Sequence, residues 1–296
     1  MKKQFIIITV LFLMTSFAFA QNAGDFIVPL SDPNKRGKLK AHLNYGSITV
    51  KGSPRKDVLV KYKAIAEDED DKHNNDDNDD DNDDRRLKPL PRIDTRTNDK
   101  SDGNRSGLKK ISGGALDMEV TENDNVVRVS SNSFSEKMKL EIEVPLDFDL
   151  NVSTFNDGVM FISNVSGELE LTNHNDDITA ENISGSVLAT SFNGAIKISF
   201  NKVKEGTPMS FSTFNGDIDV TFPATLKATF KLKTEQGEIL SGFDMNMVKE
   251  APIQKKETSG GTYKVVIDGS IKGEVNGGGP EFSMKNHNGD IIIRKK

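Results

Sequence analysis

Residues 212–222 read "STFNGDIDVTF". Apolar and polar residues alternate on both sides of an Asn-Gly pair, which is the pattern of two half-buried strands joined by a tight corner. The plan recurs as "TSFNGAIKISF" at 190–200 and "KNHNGDIIIRK" at 285–295. With the Asn or its equivalent as position zero, phrases centre on Asn156, Asn175, Asn193, Asn215, Gln236 and Asn288. The first five lie 18 to 22 residues apart.

Six positions before zero stand Leu150, Leu169, Val187, Met209, Phe230 and Phe282. Four before stand Val152, Leu171, Ala189, Phe211, Leu232 and Met284. Three after stand Val159, Ile178, Ile196, Ile218, Ile239 and Ile291. Five after stand Phe161, Ala180, Ile198, Val220, Ser241 and Ile293. Of these 24 positions 23 are apolar, whereas a chain that is 35% hydrophobic would place about eight there by chance. Both strands of every phrase therefore point the same parity at one core. A degenerate seventh copy centres on Tyr45, with Leu39, Ala41, Ile48 and Val50 in register.

Position plus one holds Gly194, Gly216, Gly237, Gly289, Asp157 or Asp176, residue types that tolerate the positive φ of a tight corner. The corner residues singled out are Asn156, Asn175, Asn193, Gly194, Asn215, Gly216, Gly237, Asn288 and Gly289, with the Asn side chains expected to satisfy corner backbone groups. A second corner recurs as "SNVSG" at 163–167 and "ENISG" at 181–185, and Gly206 continues it. A unit of about twenty residues with two corners is one coil of a flattened stack. Stacked coils bury a continuous core that no single coil can bury. The predicted fold is all-β, a β-solenoid-like stack of strand-turn-strand repeats. The alternative is an antiparallel sandwich or meander, since Asn-Gly is also a hairpin signal.

"EIEVPLDFDLNVSTFNDGVMFI" and "GGGPEFSMKNHNGDIIIRKK" carry a resemblance. Val144-Pro145, Asn215-Gly216-Asp217-Ile218 and Asn288-Gly289-Asp290-Ile291 resemble the bacterial β-strand-repeat family catalogued as "putative adhesin", a domain of unknown function. The resemblance covers about 140–243 and 275–296, with weaker similarity at 39–64. It implies an exported, non-enzymatic surface or envelope protein and brings no family-wide catalytic residues.

The chain opens "MKKQFIIITVLFLMTSFAFA". Lys2 and Lys3, an apolar run from Phe5 to Met14, and Ala18-Phe19-Ala20 form a secretory signal with cleavage expected before Gln21. The expected location is the periplasm, the cell surface or the extracellular space. There are no cysteines, which excludes disulfides, thiolate metal sites, a cysteine nucleophile and a lipidated cysteine. There is no Trp on which a sugar could stack.

Residues 66–84, "AEDEDDKHNNDDNDDDNDD", hold twelve carboxylates and one lysine. Residues 85–110 hold nine basic residues against three acids. Neither half has an apolar face, so 65–110 reads as a disordered acidic-then-basic insertion between strands at 21–64 and the repeat domain at 111–296. Asp76, Asp77, Asp79, Asp80 and Asp81 are weak calcium candidates, but "DNDDDNDD" lacks the glycine and distal glutamate of an EF-hand loop. No other cofactor is implied. Residues 244–261 read as a loop, followed by strands in "TYKVVIDGSIKGEV".

His174 and His287 stand one before position zero, where other copies carry Phe155, Phe192 and Phe214, so they read as stacking residues. Asp177, Asp217, Glu238 and Asp290 recur at position plus two. Such carboxylates would suit an acid–base pair on a polysaccharide, but acids at polar turns are ordinary, and no enzyme is expected. No basic cluster with interleaved aromatics points to nucleic acid. The reading is an exported binding, adhesion or scaffolding protein with an unidentified protein or glycan partner and no membrane-spanning segment. A polysaccharide-active β-helix and an envelope-stress signalling partner are the alternatives. Replacing residues 67–108 by a short Gly/Ser linker is expected to leave the fold intact, because loop-closure entropy varies only logarithmically with length. Loss of the β-sheet circular dichroism on deletion would place the segment in the core.

Overall fold

The structure is a computed structural model. It describes residues 23–65, 118–248, 254–259, 262–267 and 269–296, and the described repeats form one compact unit. The acidic and basic runs, with Asp76, Asp77, Asp79, Asp80 and Asp81, lie outside these residues, as do 1–22.

Each phrase is one bent coil. The strand before the Asn corner lies in one sheet and the strand after it in a second. Like stacks on like in parallel register: Leu150 pairs with Leu169, Val187 with Leu169, and Phe211 with both Ala189 and Met284. In the second sheet Ile178 pairs with Ile196, Ile196 with Ile218, and Ile218 with Ile291. Parallel pairing of equivalent residues is the solenoid arrangement; the meander would have paired them antiparallel. The predicted columns are the core, with Leu150, Leu169, Val187, Phe211, Phe282, Ile196 and Ile218 all buried. The Tyr45 copy is a full coil: Gly37–Ser53 runs through both sheets, and Tyr45 pairs with Asn156.

Spatial order differs from chain order. Glu281–Lys285 and Ile291–Lys295 lie between the Asn215 and Gln236 coils, pairing with Met209–Ser212 and Ala228–Lys233 in one sheet. In the other sheet they pair with Ile218–Phe222 and Ile239–Ser241. Gly37–Ser53 is likewise inserted between Val126–Ser131 with Lys137–Pro145 on one side and Phe148–Asn156 with Met160–Ser163 on the other. Antiparallel strands close the ends. Glu119–Asn123 covers Val126–Ser131, and Asp57–Ile65 then Ala23–Pro29 cover Lys137–Pro145. Ile271–Val275 then Asn246–Val248 cover Ala228–Lys233. Such covers shield edges that otherwise recruit other strands; at the Gln236 end of the second sheet, Ile239–Ser241 has no such cover among the described residues.

Three expectations are corrected. The Asn156 corner carries one extra residue, with Asp157 at φ 55°, so Met160 and Ile162 fill the core columns, not Val159 and Phe161; Val159 is 50% exposed. Of the corner glycines, Gly216 (φ 127°) and Gly289 (φ 131°) use left-handed backbone. Gly194 and Gly237 do not; they are required by space, since a Cβ at Gly194 would sit 2.1 Å from the Asp176 carbonyl oxygen. Finally, residues 244–261 are not a simple loop. Asn246–Val248 is a strand, and Gln254–Ser259 pairs antiparallel with Thr262–Ile267.

Ile218 is fully buried, and Asp217 is exposed with its Oδ1 accepting a hydrogen bond from Asp290 N at 2.8 Å. Ile218→Asp is expected to cost about 4 kcal/mol or more through an unpaired buried charge, and Asp217→Ala about 1 kcal/mol through one lost hydrogen bond. Urea unfolding measures both; equal losses would contradict the alternation.

Candidate binding edge and face

The Asn corner builds one long edge from several columns. The innermost column, two before position zero, is polar although its parity points inward: Thr154, Asn173, Ser191, Thr213 and Asn286 are all buried. These residues hold the corner carbonyls. Asn173 Nδ2 donates to Gly158 O at 3.0 Å and Asp177 O at 3.2 Å. Thr213 Oγ1 donates to Gly194 O at 2.9 Å, Thr234 Oγ1 to Gly289 O at 3.0 Å, and Asn286 Nδ2 to Gly216 O at 2.7 Å. A sharp bend leaves carbonyls that the strand ladders do not reach, and an unbonded buried carbonyl costs about 1–3 kcal/mol.

The expected role of the position-zero Asn side chains is therefore corrected. They bond one another: Asn175 Nδ2 donates to Asn156 Oδ1 at 2.6 Å, Asn193 to Asn175 at 3.3 Å, and Asn215 to Asn193 at 2.8 Å. Asn288 continues the edge through parallel backbone bridges to Asn215 and Gln236. The second corner has its own pair, Asn182 Nδ2 to Asn164 Oδ1 at 3.1 Å, with both residues in left-handed backbone at φ 56°. The signal for this pair in the sequence is the recurrence of Asn in "SNVSG" and "ENISG", 18 residues apart.

The acids after the corner also point along the stack. Asp177 Oδ1 accepts from Ala195 N at 2.7 Å, Asp217 Oδ1 from Asp290 N at 2.8 Å, and Asp290 Oδ1 from Glu238 N at 2.8 Å. Asp176 Oδ2 accepts from Gly158 N at 2.7 Å. These four carboxylates are engaged by the neighbouring coil's backbone, whereas Glu238 contributes only its N–H. Among the described residues no three His, Asp or Glu side chains converge as a metal site.

One residue before the Asn column runs an aromatic ladder. Phe155 stacks on His174 (ring centroids 4.6 Å apart), His174 on Phe192 (5.1 Å), Phe192 on Phe214 (5.2 Å) and Phe214 on His287 (4.5 Å). Interplanar angles are 7–11°. Phe134 closes one end edge-on at 6.3 Å, and Glu235 Oε2 lies 3.0 Å from His287 Nδ1 at the other. The ring faces are filled by neighbouring rings, so the ladder offers solvent its edges. Phe155, Phe192 and Phe214 remain 42–45% exposed. A sugar cannot lie flat on this ladder, but an apolar strip is available along it.

Beside the ladder the first sheet presents a patch of small hydroxyl side chains, bounded by Glu170 on one side and by Lys285, Lys231 and Lys233 on the other. Thr172 pairs with Thr190, Thr190 with Ser212, Leu188 with Ser210, and Ser210 with Ser283. The hydroxyls of Thr172, Thr190, Ser210, Ser212 and Ser283 have no hydrogen-bond partner among the described residues, in contrast to Ser153, whose Oγ lies 2.7 Å from His42 Nδ1. Adjacent hydroxyls along a column repeat at the strand spacing of about 4.8 Å. Leu188, 50% exposed, sits among them. The arrangement can bond and cover an extended surface at many weak points.

Residues 149–276 match the family described as Toastrack DUF4097. The match takes in the Asn175, Asn193, Asn215 and Gln236 coils and most of the Asn156 coil, and stops before the interleaved Asn288 coil. Two solved structures are similar to the chain. One is a putative cell adhesion protein from Clostridium sporogenes, 12% identical, covering 93% of this chain and 100% of that one with a TM-score of 0.42. The other is a putative adhesin from Bacteroides fragilis, 12% identical, covering 93% and 98% with a TM-score of 0.30. No curated protein matches.

Asn173→Leu is expected to destabilise by about 2–4 kcal/mol because it removes the buried side-chain bonds to the Gly158 and Asp177 carbonyls and from Asp176 N. Asn175→Ala, at the exposed rung, is expected to cost at most about 1 kcal/mol. Urea midpoints that fall equally would remove the inner column from its supporting role.

Proposed function

We propose that the protein is an exported, non-catalytic component of the cell envelope or surface that binds an extended partner along its first sheet. The observation that carries this is the row of hydroxyls at Thr172, Thr190, Ser210, Ser212 and Ser283, without hydrogen-bond partners among the described residues, beside the aromatic strip. Hydroxyls that serve no internal bond on a regular, half-apolar face fit a long ligand that gathers affinity from repeated contacts. The basic-apolar-small opening at 1–20 supports export. Among the described residues no helix is long and apolar enough to cross a membrane. The engagement of Asp177, Asp217 and Asp290 by backbone N–H groups speaks against the polysaccharide-cleaving alternative, which needs a free acid and a free base.

The test is retention on an envelope fraction of the source cell. Thr172→Lys, Thr190→Lys and Ser212→Lys combined are expected to lower retention at least about tenfold by placing bulky charges across the face. Thr49→Lys, Thr179→Lys and Thr221→Lys, on the opposite sheet, are expected to leave it unchanged. Equal behaviour of the two triple variants would remove the first sheet as the binding face. Export is checked separately by N-terminal sequencing of the protein recovered outside the cytoplasm, with Gln21 expected first.

A further inference from the structure

The repeat is interrupted at one place on the second corner. In the Asn156 and Asn175 coils that corner turns tightly at Asn164 and Asn182. In the Asn193 and Asn215 coils it is replaced by the longer connections 204–208 and 223–227, the first following a strand whose Lys202 and Val203 still pair with Ser184 and Gly185. With the glycine turn Asn276–Gly279, these segments enclose a cleft of about 510 Å³, inside the range of small-ligand sites.

The cleft is built before any ligand arrives. Asn276 Nδ2 donates to Leu226 O at 2.6 Å and to Ala224 O at 3.2 Å, fastening the 223–227 segment to the glycine turn. Gly277 and Gly278 hold left-handed backbone at φ 88° and 79°, the conformation the turn needs. The lining joins Leu226, 5% exposed, to the half-buried Val203, Pro223 and Pro280.

Charge selects among ligands. Lys204 Nζ is spent on Glu168 Oε1 at 2.6 Å, and that hydrogen bond holds the Glu168 carboxyl below the usual carboxylate range. Lys202 and Lys227 line the cleft with no ion pair or hydrogen bond among the described residues. Glu205 is the one acid in the lining, and its carboxylate also has no partner among them. Two unpaired ammonium groups against one carboxylate leave a single positive charge. We propose that this cleft binds a small amphipathic monoanion, a carboxylate or sulfonate on an apolar body. Its acid group is taken by Lys202 and Lys227, and its apolar part lies against Leu226 and the two prolines. This site is separate from the hydroxyl face and does not depend on it.

Fluorescence titration of the purified protein with anilinonaphthalenesulfonate tests the assignment. One saturable site is expected, displaced by octanoate and not by octanol or octyltrimethylammonium. Lys202→Ala with Lys227→Ala is expected to weaken the probe at least about tenfold, the scale of two charge-assisted contacts, with the urea midpoint unchanged. Thr225→Trp, which fills the cleft without altering charge, is expected to abolish the site. Unchanged affinity in the double lysine variant, displacement by octanol as effective as by octanoate, or full binding in the Trp variant would each overturn the proposal.

Discussion

The structure depends on the close approach of backbone at the Asn corner. Strands in a sheet lie about 4.8 Å apart, and a corner stacked on a corner must keep that spacing while the chain turns sharply. At Gly194 and Gly237 there is no room for a Cβ, because the carbonyl of the neighbouring coil would lie 2.1 and 1.9 Å away. The carbonyls turned inward by the bend are then met by Asn173, Thr213, Thr234 and Asn286. Once corners sit directly above one another, the strands on both sides are in register without further instruction. Leu, Val, Phe and Ile then fall into continuous columns. A bulky residue at the corner glycine or an apolar one at the inner polar position would spoil the register of both sheets at once.

The same constraint sorts the polar residues. Inner hydroxyls and amides serve carbonyls, the acids after the corner serve N–H groups of the next coil, and the Asn side chains bond each other across coils. Recurring carboxylates on a repeat protein invite a catalytic reading, yet here repetition itself employs them. A carboxylate that recurs once per coil finds an equivalent backbone N–H one coil away. Polar groups left without such work stand out. Among the described residues they include the hydroxyls of the first sheet and Lys202 and Lys227 of the second-corner cleft.

Much of this was legible in the sequence because period-two alternation about a fixed Asn survives stacking. The columns at Leu150, Leu169 and Val187 and at Ile178, Ile196 and Ile218 follow from that alternation, and the interchange of Phe and His before the corner pointed to a stack of rings. Other features were hidden for definite reasons. The extra residue at Asp157 shifts parity after the corner, so Val159 took the place of Met160 in a fixed-offset reading. "QKKETS" at 254–259 has no apolar alternation, and among the described residues its strand pairs with Thr262–Ile267 alone. The inner polar column was visible as Thr, Asn, Ser, Thr and Asn at an inward parity, but its partners are backbone atoms, which a sequence does not display. The cleft joins residues 202, 227 and 278, and their meeting requires the interleaved order of the coils.

That interleaving governs when the fold can close. The Asn215 coil has the Asn288 coil as its neighbour, so Asp217 waits for a residue 73 positions further along the chain. His42 waits for Ser153 across 111. Contacts so distant in sequence make β-proteins slow to fold. A nascent chain holding the coils from Asn156 to Gln236 has a vacant slot in its stack and an exposed parallel edge on each side of it. The stack therefore cannot reach its final pairing by adding coils in order of synthesis. A chain built in this way stays open until residues 281–295 have emerged, so its last segment to be made is the one that completes the middle of the stack.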